Sequence, residues 1–201
     1  MKKLCLLLAI AAFSSFTAPK HVILREDRTL LITLLQQTKD SLLKDIAGLT
    51  DAQLEYKPAP DRWSIIECVE HITLVEKTFM DMEQGLMKQP ANPERRKDIK
   101  VTDESLLKKM EDRSHKAKAP EFGIPKHSYS SDAEAIKNFT EQRDKLIDYV
   151  TNTPDELRNH ITDNPIFGTM DGYQLLLLDA GHTNRHTQQL EEVKADAGFP
   201  K

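Results

Sequence analysis

The 201-residue sequence predicts an all-α bundle of four long helices and one short one. Three observations lead there. Apolar residues recur at steps of three and four through separate stretches, the spacing that gathers side chains on one helical face. Two of these stretches open on capping signatures, and the period-2 alternation of half-buried strands is almost absent. Ten prolines against seven glycines argue against low complexity, and the length suits one domain with a substantial core, placed at residues 25–197.

The first helix is expected from about Asp27 to Leu49, with Leu30, Leu31, Leu34, Leu35, Leu42, Ile46 and Leu49 on its apolar face and a polar interval at Gln36 to Ser41. Pro58 and Pro60 make Thr50 to Arg62 a connector, with room for one turn at Asp51 to Leu54. Ser64 and Glu67 then form a capping box that starts the second helix, which continues through Ile65, Ile72, Val75, Phe79 and Met82 to about Met87. Lys88 to Thr102 is a charged, proline-containing break. A short amphipathic helix follows from Asp103 to about His115, and Pro120, Gly123 and Pro125 mark a loop. Ser131 and Glu134 repeat the capping signature ahead of a helix through Ile136, Phe139, Leu146 and Val150, which stops before Pro154. The last helix begins near Thr169 or Asp171 and runs to about Ala197, closed by Gly198 and Pro200. Two connectors are long enough to cross an end of the bundle.

Lys2 and Lys3, the apolar run Leu4 to Phe13 and the small-residue tail up to Ala18 have the form of a secretory signal peptide over residues 1–18. The run is too short to span a bilayer in the mature protein, so export to the periplasm or beyond is expected, without stable membrane insertion. The alternative is an apolar helix retained in a cytoplasmic protein. Lys2, Lys3 and Leu4 do not make a lipobox for Cys5, and after processing Cys68 is the one cysteine left. An intrachain disulfide is therefore excluded, and Cys68 is expected as a packed core thiol rather than a ligand or nucleophile. A net charge of −4 gives no electrostatic reason to expect nucleic acid, and the cluster Arg95, Arg96, Lys97 and Lys100 lacks interleaved aromatics.

The chemistry is concentrated in the last helix. Leu175, Leu178, His182, His186, Gln189 and Val193 recur at steps of three and four, so two imidazoles stand where leucines are expected. A buried imidazole without a hydrogen-bond partner costs on the order of 1–3 kcal/mol. A divalent metal would offset that cost, since imidazoles at i and i+4 reach cis positions of one ion. His71 is the third candidate, beside the Cys68, Ile72 and Val75 stripe of the second helix. A core polar pair and plain surface histidines are the competing readings. His21, His115, His127 and His160 fall in ends or loops and are expected in solvent.

Taken in order, Trp63, Ser64, Glu67 and His71, then Asn164, Pro165, Phe167 and Gly168, then His182, Thr183, Arg185, His186, Thr187 and Gln189 resemble the DinB-like superfamily, which includes the bacillithiol-transferase-like proteins. The resemblance covers about residues 25–197. It implies an antiparallel four-helix bundle (DinB/YfiT-like) with long crossover connections, holding a divalent metal on His71, His182 and His186. It further implies a metal-dependent hydrolase or a thiol S-transferase using bacillithiol, mycothiol or glutathione. Those thiols are cytosolic, which sets the transferase reading against the apparent export signal.

Three neutral histidines leave an open position on the ion, the arrangement of a catalytic site; zinc is the first choice, with nickel or iron(II) compatible. The partner expected is a small-molecule substrate, and a homodimer is left open. Arg185 and Gln189 are the catalytic candidates, for a substrate carboxylate and a water; as structural groups Arg185 would pair with Glu191 or Glu192. Asp179 and Glu67 are candidates to accept the outer N–H of a ligand histidine. Trp63 could line the mouth of the site, but as the residue before the helix cap it is expected to pack on the following turn as a staple. The non-catalytic alternative is a protein that uses the same three histidines to hold a metal or small ligand.

Overall fold

The computed structural model describes residues 25–116 and 118–201. The segment expected to be a signal peptide, residues 1–18, lies with Cys5 and His21 outside the described residues. Four long helices, α1 (Arg25–Ile46), α3 (Ile65–Met87), α5 (Asp132–Asn152) and α6 (Gly172–Lys194), form the bundle; α2 (Asp51–Leu54) and α4 (Asp103–Glu111) are short. No described helix is long and apolar enough to cross a membrane.

The four helices form a closed ring of contacts, α1 to α5, α5 to α3, α3 to α6 and α6 to α1. Arg28 reaches the carbonyl of Val150 while Lys39 pairs with Asp144, so α1 and α5 run antiparallel. His71 meets His182 while Met87 lies against Gly172, so α3 and α6 also run antiparallel. On the α3/α5 seam, Gln142 bonds to Thr73 and Tyr149 to Glu83, a parallel pairing. Parallel neighbours need a connection that returns along the molecule, and residues 88–131 make that crossover. It carries α4 over the outer face of α6. Gly181 permits the contact: a Cβ there would stand 3.2 Å from Met110 and 3.3 Å from Leu107. Covered by α1, α3 and α4, α6 buries almost every residue, including all four of Leu175 to Leu178.

Local signals set the ends. Ser64 and Glu67 form the expected capping box, and Thr50 with Gln53, Thr102 with Ser105 and Asp171 with Gln174 form three more. At α5 the signature is only half realised, since Ser131 caps Glu134 while the Glu134 carboxylate turns to Ser130. α1 stops three residues before the expected Leu49 because Gly48 takes a left-handed φ of 75°. α4 stops at Glu111 rather than His115, where Asp112 turns extended and its carboxylate accepts from the Ser114 amide.

A strand pair not expected from the sequence precedes α6. β1 (Ile161–Asn164) pairs antiparallel with β2 (Gly168–Asp171), Ile161 facing Asp171. At four residues each, the strands are too short for alternation to register. The hairpin ends on Asp171, the α6 cap, and Arg158 ties it down, bonding to Asp27, Asp103 and Asp171 with its guanidinium 3.7 Å over Tyr173. His160, expected in solvent, is half-buried beside this hairpin, and its Nδ1 is buried without a partner.

Of three apolar clusters, one joins Leu106 of α4 and Met170 of β2 to Leu175 and Leu178 of α6, and the other two fill the bundle. One joins Leu42, Ile46, Val69, Ile72, Phe139 and Leu190; the other joins Leu31, Leu35, Leu146, Val150, Tyr173 and Leu177. Between them runs a polar layer centred on Arg143, which is fully buried. Arg143 reaches Glu76 at 2.5 Å and Asp179 at 3.4 Å, and donates to Thr38, Thr183 and the Leu35 carbonyl. The three histidines lie beside this layer on the α3/α6 seam.

Candidate metal centre

The antiparallel α3/α6 seam brings together His71, His182 and His186, and each is less than a tenth exposed. Each offers one ring nitrogen, and these three atoms lie within 4.8 Å of one another. His71 Nε2 is 3.1 Å from His182 Nε2. Two nitrogens bound to one ion at about 2.0–2.1 Å stand about 2.8–3.4 Å apart for angles between a right angle and a tetrahedral one, so this spacing suits a shared ion.

Hydrogen bonds on the outer nitrogens set the direction of the lone pairs. His71 Nδ1–H donates to the Gly123 carbonyl at 2.5 Å, and His186 Nδ1–H donates to Gln189 Oε1 at 3.0 Å. With the proton on Nδ1, each Nε2 presents its lone pair inward. His182 Nδ1 is buried without a partner. Burial holds the His71 pKa down, and burial together with the neighbouring imidazoles holds those of His182 and His186 well down. Neutral imidazoles whose acceptor nitrogens converge in a protein interior form a donor set that a divalent cation completes.

The surrounding groups differ from several expectations. Trp63 is half-buried with its ring 4.6 Å from His71 and 6.1 Å from His186, so it packs on the candidate ligands rather than serving only as a staple. Phe79 approaches His182 edge-on. Arg185 does not pair with Glu191 or Glu192 and does not enter the site; it donates to the carbonyls of Met110, Asp112 and His115, pinning the end of α4. Gln189 touches the site through His186 and is itself held by Arg113, which also grips Glu192. Asp179 accepts no imidazole proton: its Oδ2 faces Arg143 in the polar layer, and its Oδ1 is buried without a partner. Glu67 caps Ser64 and pairs with Lys57.

Cys68 is buried, and burial pushes its thiol far up, so it stays a neutral core group as expected. His115 and His127 are exposed, also as expected. Sequence reasoning missed Gly123. A Cβ there would meet His71 Cε1 at 3.0 Å and Nδ1 at 3.1 Å, so the close approach of the loop to the ring requires glycine.

Comparison with known proteins agrees with this architecture. The chain is similar to the protein YuaE of Bacillus subtilis (strain 168), 26% identical over 163 residues, covering 81% of this chain and 96% of that one. Its fold is similar to the solved structure of YfiT from Bacillus subtilis, with a TM-score of 0.55 at 15% identity, covering 91% of this chain and 94% of that one. YfiT is described as a probable metal-dependent hydrolase with an unusual four-helix bundle topology. The sequence model of the DinB superfamily matches residues 34–190, and the chain belongs to that superfamily.

Proposed function

We propose that the protein holds one divalent metal ion on His71, His182 and His186, zinc in the first instance, and uses it to hydrolyse or transfer a group on a small substrate. The convergence of three buried, neutral imidazoles on one point carries this reading. Three protein ligands leave a coordination position for a substrate or solvent, which separates catalytic from structural sites. The description of YfiT as a probable metal-dependent hydrolase supports the same direction.

When bound, the ion supplies the Lewis acidity that makes a water or thiol nucleophilic near neutral pH. The chain's own residues orient and enclose. Gly123 and Gln189 fix two of the ring orientations, while Trp63 and Phe79 cover imidazole faces and keep the surroundings apolar. Phe122 and Ile124, about half exposed on either side of Gly123, offer apolar surface to a substrate on the loop nearest His71. The apolar leader at residues 4–13 supports action outside the cytoplasm, and that setting favours water over a cytosolic thiol as the attacking group.

A second reading, a metal- or ligand-binding protein without catalysis, is favoured by one observation. Glu67, Glu70 and Glu192 flank the site, but their carboxylates are engaged with a cap, a loop and Arg113 respectively. None stands free as a general base. A screen of small esters, amides and thioethers against the native protein separates the readings. The catalytic reading expects turnover that chelation abolishes and metal restores; a metal-loaded protein inert across every class would leave the binding reading.

A further inference from the structure

We infer that Glu70 is a positioning residue, which sets the third histidine through a loop rather than by contact. Glu70 lies next to His71 on α3 and is almost fully buried, and its carboxylate bonds to the crossover loop rather than to an imidazole. It gathers three consecutive backbone amides of the crossover: Lys126 at 3.2 Å and Ser128 at 3.0 Å on Oε1, and His127 at 3.0 Å on Oε2. A carboxylate that accepts several amide protons is among the strongest fasteners available to a loop.

The fastening has a geometric cost that shows what it does. His127, at the middle of the three amides, holds a left-handed φ of 52°, which a residue with a side chain seldom adopts. Its side chain is three-quarters exposed, so the tightness of this turn serves the backbone. Four residues before His127 the same loop delivers the Gly123 carbonyl to His71 Nδ1–H. A 3-10 turn holds the chain on the N-terminal side of that carbonyl, with Gly123 N–H bonded to Pro120 and Ile124 N–H to Glu121, and the Glu70 clamp ties down the C-terminal side. Glu70 therefore decides, through the 123–128 backbone, which nitrogen of His71 carries the proton and which faces His182 and His186.

The inference rests on the metal reading of the three histidines, and two measurements keep them apart. The first is made on metal-free protein: ring-nitrogen chemical shifts of His71 by NMR at pH 8. The wild type should show the Nδ1–H tautomer; Glu70→Ala should show a mixture or the Nε2–H form, with Glu70→Gln, which keeps one acceptor oxygen, in between. Glu134→Ala removes a different carboxylate contact to the same crossover, at Ser130, and should leave the tautomer as in the wild type. Far-UV circular dichroism establishes that each variant retains its helices.

The second measurement is cobalt(II) affinity by chelator competition, read from the visible spectrum. Losing the support of a ligand histidine typically weakens binding about 10–100-fold, which is the loss expected for Glu70→Ala and for Gly123→Ala. A folded Glu70→Ala protein with the wild-type tautomer would overturn the inference, as would unchanged cobalt affinity. A wild type that binds no cobalt would count against the metal reading alone, because the tautomer measurement decides the role of Glu70 without any ion.

Discussion

Replacing Glu83 by glutamine should make the protein more stable at pH 8 and leave it nearly unchanged at pH 5. Glu83 lies in α3 with no exposed surface, and its Oε2 has no hydrogen-bond partner. Its Oε1 is 2.7 Å from the Tyr149 hydroxyl, which is also 3.0 Å from Asp155 Oδ2. One phenolic proton faces two carboxylates, so a second proton is needed for both contacts to be hydrogen bonds, and the buried Glu83 is the group that holds it. Burial raises its pKa from 4.5 to about 7, and the Asp155 charge adds to the rise. Between those two values the folded protein keeps a proton that the unfolded chain releases, so stability falls as pH increases through that interval. At about 1.4 kcal/mol per pH unit, the interval from 4.5 to about 7 amounts to about 3 kcal/mol. Glutamine keeps the shape and, with its amide N–H toward the Tyr149 hydroxyl, the donor that protonated Glu83 supplies, without a charge to bury. Urea unfolding of metal-free wild type and Glu83→Gln from pH 5 to 8 measures the difference, which should widen with pH by up to about 3 kcal/mol. The three histidines titrate in the opposite sense, since their lowered pKa values make stability rise with pH, but they are common to both proteins and cancel. Two curves that stay parallel across the range would refute the reasoning.

Three other outcomes follow from the same structure. Arg143→Met leaves the buried carboxylates of Glu76 and Asp179 without their cation and should cost about 3–5 kcal/mol in urea unfolding, recovered in part when Glu76→Gln and Asp179→Asn are added. His71→Ala, His182→Ala and His186→Ala should each lower metal stoichiometry sharply by elemental analysis, and His127→Ala should not; full occupancy in any of the first three would remove that residue from the site. Protein recovered from its own host should begin between Ser15 and Lys20 on N-terminal sequencing, and an intact Met1 in the cytosolic fraction would contradict export.

The parts of this molecule legible in its sequence are those encoded within a few residues. The Ser64 capping box, the 3.6-residue stripes and the i, i+4 pair His182 and His186 are local patterns, and each appears where the spacing placed it. His71 was reachable because it borders an apolar stripe on a helix already assigned. What the sequence withheld depends on partners far along the chain. Arg143 falls between Phe139 and Leu146 at seam spacing, but a lone arginine there reads as an edge residue until Glu76 and Asp179 arrive from two other helices. Arg185 looked available for a substrate because nothing local revealed that the end of α4 supplies it with three carbonyls. Trp63 and Gly123 gain their roles only when a crossover and a helix start fold over the imidazoles. The β1/β2 hairpin was hidden by its brevity.

X-ray absorption at the zinc edge, on protein loaded with one equivalent of zinc, tests the central claim most directly. Three imidazole nitrogens at about 2.0–2.1 Å, completed by at least one oxygen from solvent, are expected. A shell of four protein nitrogens or sulfurs would make the site structural, and an oxygen-only shell would place the ion somewhere other than His71, His182 and His186.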